Sequence, residues 1–278
     1  MRRWQLEGEY QFRGQSVRYA CTGEGPPLLF VHGTPFSSYV WHRIVPHFTR
    51  THRVYYFDLL GYGQSEQREG QDVSLGVQNM LLAELLDHWA LDNPDVVAHD
   101  FGGATALRAH LLNQRQFRSL TLIDPVALAP WGSPFVTHVR NHEAAFRGLP
   151  AYIHEAMLPA YIRGAVRRAI PDAELAPYLH PWQGEIGQAA FYRQIAQMDQ
   201  RYTDAIEPLY GQVRCPTLIL WGQEDRWIPV ERGRQLMRAI PNARLCVVPD
   251  AGHLMQEDAP EAIVAALLQH LPDPDADR

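Results

Sequence analysis

The sequence predicts an α/β fold built on a mainly parallel central sheet. Short, continuous apolar runs recur along the 278 residues, the pattern of strands buried on both faces. Helix-length amphipathic segments separate most of these runs, as strand–helix alternation in an α/β domain requires. A hydrophobic content of 46% gives enough core for one good-sized domain, or one domain carrying an insertion.

Taken in order, residues 10–22 read as two strands joined at Arg13-Gly14-Gln15. Leu28-Leu29-Phe30-Val31 is the first fully apolar strand and runs into His32-Gly33-Thr34-Pro35. Further strands are expected at 54–57, 95–98, 120–123, 217–220 and 245–248. Residues 74–89 form the clearest helix, with Leu75, Met80, Leu81, Leu82, Leu85 and Leu86 on its apolar side and Gly76 weakening its first turn. A second helix spans 261–271 and stops at Pro272, after which 272–278 reads as a frayed tail. Between about Pro130 and Pro208 helical spacing continues without a convincing strand. That stretch, 130–208, is expected to be a helical lid over the carboxyl edge of a core made of 1–129 and 209–278. Ligands of open α/β sheets bind at that edge.

Composition narrows the chemistry. The 25 basic residues are all arginine, against 31 acidic ones, for a net charge of −6. Without lysine there is no Schiff base, pyridoxal-phosphate anchor, phosphate-loop lysine or lysine general base, because arginine stays protonated. Codon usage favouring arginine accounts for this composition without a functional cause. The mild negative charge, with no run of like charges, argues against nucleic acid or an anionic membrane as partner. A small molecule and water remain, and the oligomeric state, monomer or homodimer, stays open. Cys21, Cys215 and Cys246 are odd in number and far apart, which points to reduced, buried thiols. The first nine residues lack the apolar stretch of a signal peptide, and no apolar run reaches membrane-span length, so a soluble, cytoplasmic protein is expected.

The residues that carry chemistry follow the strands. After Ala98 comes His99-Asp100-Phe101-Gly102-Gly103-Ala104, then a helix. A sharp strand-to-helix turn needs small residues around its apex, here Asp100. Alone, Asp100 reads equally as a helix N-cap. It is accompanied by His32-Gly33-Thr34-Pro35, the loop from Asp58 through Gly61 and Gly63 to Ser65, Trp221-Gly222-Gln223-Glu224-Asp225, and Asp250-Ala251-Gly252-His253. In this order and spacing the set resembles the α/β-hydrolase fold over nearly the whole chain. No Gly-x-Ser-x-Gly is present; Ala98-x-Asp100-x-Gly102 stands in its place, similar to the aspartate-nucleophile branch of epoxide hydrolases, haloalkane dehalogenases and haloacetate dehalogenases. The segment from His32 to Trp41 resembles the haloalkane dehalogenases in particular.

The resemblance implies Asp100 as nucleophile, forming an alkyl ester, and His253 as the general base on the water that hydrolyses it. Two acids compete to orient His253: Asp225, which is favoured, and Asp124, whose other reading is a strand-end cap at the lid hinge. By the same resemblance, the backbone N–H groups of Phe101 and Thr34 form the oxyanion hole. Phe101 stands where haloalkane enzymes carry Trp, and Thr34 where many carry Asn; Phe101 and Ala104 stand where haloacetate enzymes carry Arg. Both departures favour epoxide opening, which needs a proton donor for the emerging alkoxide. Tyr192 is the expected lid donor, its alternative being a packed tyrosine; Tyr152, His138 and His142 are further candidates, and Trp41 is a candidate wall residue. The His138/His142 spacing could ligate zinc, but a solvated helix face accounts for it better. No cofactor is inferred. A ligand-binding receptor without turnover is the non-enzymatic alternative.

Overall fold

The structure, a computed structural model, describes residues 4–272, so the first three residues and all of the expected 272–278 tail except Pro272 lie outside the described residues. Eight strands form one sheet: β1 (Gly8–Phe12), β2 (Gln15–Thr22), β3 (Pro27–Val31), β4 (Arg53–Phe57), β5 (Asp95–His99), β6 (Ser119–Ile123), β7 (Thr217–Gly222) and β8 (Ala243–Val248). Their spatial order is β1-β2-β4-β3-β5-β6-β7-β8, antiparallel at β1/β2 and β2/β4 and parallel elsewhere. Arg13 and Gly14, both at positive φ (50° and 72°), make the two-residue turn that matches the twist of the opening hairpin.

The apolar runs are continuous because both faces of the sheet are covered. Along β3, Leu29 and Val31 enter one hydrophobic cluster while Leu28 and Phe30 enter the other. The same alternation divides Val96 and Ala98 from Val97 in β5, and Ile219 and Trp221 from Leu218 and Leu220 in β7. Helix α1 (Leu75–His88), starting after Ser74, and α2 (Phe101–Leu112) cover the first cluster.

Between β6 and β7 the chain forms six α-helices: α3 (Pro134–Asn141), α4 (Glu143–Arg147), α5 (Ala151–Arg163), α6 (Asp172–Leu179), α7 (Gly184–Ala196) and α8 (Arg201–Asp204). After β7 follow α9 (Glu231–Ala239), α10 (Met255–Asp258) and α11 (Pro260–His270). No helix among the described residues is long and apolar enough to cross a membrane. The carboxyl ends of β3, β5, β6, β7 and β8 lead into Thr34, Asp100, Asp124, Asp225 and His253 on one edge of the sheet.

Candidate active site

Asp100 joins β5 to α2 with φ 52° and ψ −119°, a conformation that a non-glycine residue adopts only when its surroundings impose it. Space explains the glycines around it. A Cβ on Gly33 would lie 2.4 Å from Asp100 Cβ, and one on Gly102 would lie 2.4 Å from the Val31 carbonyl oxygen. The turn therefore raises a carboxylate out of the sheet while its backbone touches β3.

Two groups from separate loops, Thr34 and His253, approach that carboxylate, and the next residue, Phe101, starts the helix. Thr34 N–H donates to Asp100 Oδ1 at 2.8 Å. Phe101 N–H opens α2, where it has no intrahelical acceptor. His253 Nε2 lies 3.3 Å from Asp100 Oδ2, close enough for an ion pair but without a hydrogen bond. On its far side, His253 Nδ1 bonds Asp225 Oδ2 at 2.8 Å. Asp225 is fixed in turn, since its Oδ1 accepts N–H bonds from Trp227 (2.7 Å) and Ile228 (2.9 Å).

Burial opposes a charge on His253, but the carboxylates of Asp225 and Asp100 outweigh it and hold the imidazole pKa well above the usual histidine value. His99 behaves oppositely: burial, with the neighbouring His253 charge, lowers its pKa to about 3, and its Nε2–H donates to the His253 carbonyl oxygen at 3.0 Å. The His253 loop is clasped from the helical segment as well. Asp258 Oδ2 accepts the N–H groups of Gly252 and Arg167, both at 2.8 Å, and Leu254 N–H donates to the Ala165 carbonyl at 2.8 Å.

Asp124, the competing acid, does not reach His253. Its Oδ1 accepts the Gly222 N–H at 2.9 Å, and its Oδ2 has no partner among the described residues. Complete burial, then the nearby Asp225 charge, push its pKa well above the carboxylate range.

A narrow cavity of about 40 Å³ opens over Asp100, lined by Thr34, Phe101, Val126, Trp131, Tyr161 and Trp227 among others. Of the residues anticipated on its far wall, none is there. The Tyr192 hydroxyl is buried against His154 Nδ1 at 2.9 Å; burial raises its pKa to about 12. Trp41 is a core residue against Phe30. Tyr152 is 71% exposed, and His138 and His142 lie on the surface, their rings stacked edge-on at 4.9 Å; no metal-binding group occurs among the described residues. Tyr161 of α5, which sequence reasoning missed, takes that place. It stacks on Trp227 with ring centroids 4.8 Å apart, and its hydroxyl makes no hydrogen bond among the described residues. Burial first, then the Asp100 charge, raise its pKa, so the phenol keeps its proton.

With this geometry in view, similarity to known proteins is informative. The alpha/beta hydrolase fold family model matches residues 26–260. A solved alpha/beta hydrolase fold protein from Burkholderia ambifaria is 55% identical, with a TM-score of 0.93 over 95% of this chain and 98% of its own. A haloalkane dehalogenase of Sphingobium indicum is 26% identical over 94% of both chains. Haloalkane dehalogenase 2 of Mycobacterium tuberculosis is 25% identical, over 91% of this chain and 90% of its own. The chain belongs to the alpha/beta hydrolase fold family and is a hydrolase.

Proposed function

We propose that this hydrolase acts through a covalent ester on Asp100, opening small apolar epoxides to diols beneath a lid formed by 130–208. The observation that carries the covalent reading is His253 held between Asp225 and the Asp100 carboxylate, with Thr34 N–H already on Asp100 Oδ1. Asp100 Oδ2 attacks the less hindered epoxide carbon, the C–O bond breaks, and its electron pair goes to the oxygen, which takes a proton from Tyr161. His253 then removes a proton from water as the hydroxide adds to the ester carbon, and negative charge develops on Oδ1 toward the Thr34 and Phe101 N–H groups. Collapse releases the diol oxygen, which takes the His253 proton, while the carboxylic acid proton returns to the Tyr161 phenolate. A pure ligand-binding receptor would need none of this set.

Epoxide is preferred to halide because Tyr161 offers an unengaged hydroxyl, whereas the Phe101 side chain offers no donor and the Trp131 indole N–H is committed to Thr203 Oγ1 at 2.8 Å. Haloalkane dehalogenation is the second reading, favoured by the names of the relatives. The apolar lining suits a neutral substrate, and three free cysteines, two of them exposed rather than buried, suit a reducing, cytoplasmic setting.

Tyr161→Phe decides between the two. With 1,2-epoxybutane the variant should lose about 10²-fold in ester formation, the scale of a general acid, while any reaction with 1-bromobutane changes little. Equal activity of variant and parent on the epoxide, alongside halide release from the bromide, would establish the dehalogenase reading instead.

A further inference from the structure

The helical lid reaches the oxyanion turn at two buried points. Gln194 of α7, 2% exposed, accepts the Thr34 Oγ1–H at 2.5 Å and the Tyr62 O–H at 3.1 Å, both on Oε1. Trp182, just before α7, donates its indole N–H to the Pro35 carbonyl oxygen at 2.7 Å and packs edge-on against Tyr62. The amide oxygen thus faces two hydroxyl donors, from Thr34 and from Tyr62. The Gln194 Nε2 is then left buried without a partner among the described residues. An apolar side chain of the same size would remove that orphaned amine but leave the Thr34 and Tyr62 hydroxyls without this acceptor, so the distinguishing feature of Gln194 is its carbonyl oxygen, on which both hydroxyls converge.

Thr34 is the residue whose N–H meets Asp100 Oδ1. We propose that Gln194 is a positioning residue for the oxyanion hole: through the Thr34 hydroxyl, lid helix α7 holds the Thr34 N–H on the oxygen where charge develops during ester hydrolysis. The inference rests on the covalent reading above. It has an asymmetric consequence. Before attack, Thr34 N–H stabilises the ground-state carboxylate, so loosening it does not slow ester formation. During hydrolysis the charge returns to Oδ1 in the transition state, and a loosened donor slows that step. Loss of Gln194 should therefore make the ester accumulate.

The test uses the full chain with 1,2-epoxybutane and quenched mass spectrometry to time ester formation and loss in Gln194→Met, Thr34→Val, the double variant and Thr34→Ser. Expected is at least about tenfold slower ester hydrolysis in each of the first two, with formation unchanged or faster. The double variant should be no worse than either single one, because both cut the same link, and Thr34→Ser, which restores a hydroxyl for Gln194, should hydrolyse the ester faster than Thr34→Val. Formation and hydrolysis falling by the same factor, or effects that multiply in the double variant, overturn the inference. Failure of the covalent reading looks different, since no ester would then be trapped even in His253→Gln with Gln194 intact.

Discussion

Asp225→Asn should lower turnover by on the order of 10⁴-fold, the loss caused when an imidazole is held in the wrong tautomer by an isosteric amide. The Asn oxygen still satisfies the Trp227 and Ile228 N–H groups, so the loop stays in place while the bond to His253 Nδ1 inverts. Asp124→Asn is the matched control, and it should keep turnover within a few-fold of the parent. It should also be more stable at neutral pH. The folded pKa of Asp124 is raised, so between its unfolded value and its folded one only the unfolded chain ionises, and stability falls as pH rises through that window. Asn has no proton to lose, which removes that fall. Turnover and thermal midpoints of the two variants from pH 5 to 8 check both statements; a larger turnover loss in Asp124→Asn would exchange the roles of the acids.

His253→Gln should form the Asp100 ester and hydrolyse it 10²- to 10⁴-fold more slowly, the range of a general base, so that protein plus substrate mass accumulates. The parent enzyme should show a milder version at low pH. In the free enzyme two carboxylates raise the His253 pKa; esterification neutralises Asp100 and removes one of them, so the imidazole gives up its proton more readily once the ester exists. Hydrolysis should then quicken as pH rises through that lower value, and the steady-state ester should be most abundant below it. Rapid-quench mass spectrometry across pH reads this directly. An ester level independent of pH, or a His253→Gln variant that turns over normally, contradicts the base role.

Much of the candidate site is legible in sequence because its parts sit on short turns after apolar strands. Asp100, His253 and Asp225 are far apart along the chain, yet β5, β7 and β8 are near neighbours in one sheet, so strand-end residues converge. The choice between Asp225 and Asp124 is harder, since both follow strands that are adjacent. It depends on the 222–228 loop, which carries Asp225 away from β7 and back under His253. The helical segment between β6 and β7 is least legible. Helix α7 buries Ala190, Phe191, Tyr192, Arg193, Gln194 and Ile195 in succession, so no polar side marks which way it faces. Phe191 packs on Tyr161 while Tyr192, one position on, meets His154; pattern alone does not separate them. Gln194 and Tyr62 were equally unmarked, because what distinguishes them is a shared contact with Thr34 or its partner rather than any motif. The absence of lysine, by contrast, is a constraint that a site of aspartates, histidine and backbone donors meets without strain.

The central claim is that Asp100 becomes esterified and is then hydrolysed at its own carbonyl carbon. A single turnover of 1,2-epoxybutane in heavy-oxygen water, with enzyme in excess, tests it most directly. Peptide mass spectrometry should find one heavy oxygen in the Asp100 side chain and none in the first diol released. Heavy oxygen in the diol with an unlabelled Asp100 would mean that water attacks the substrate itself, and the covalent account would be wrong.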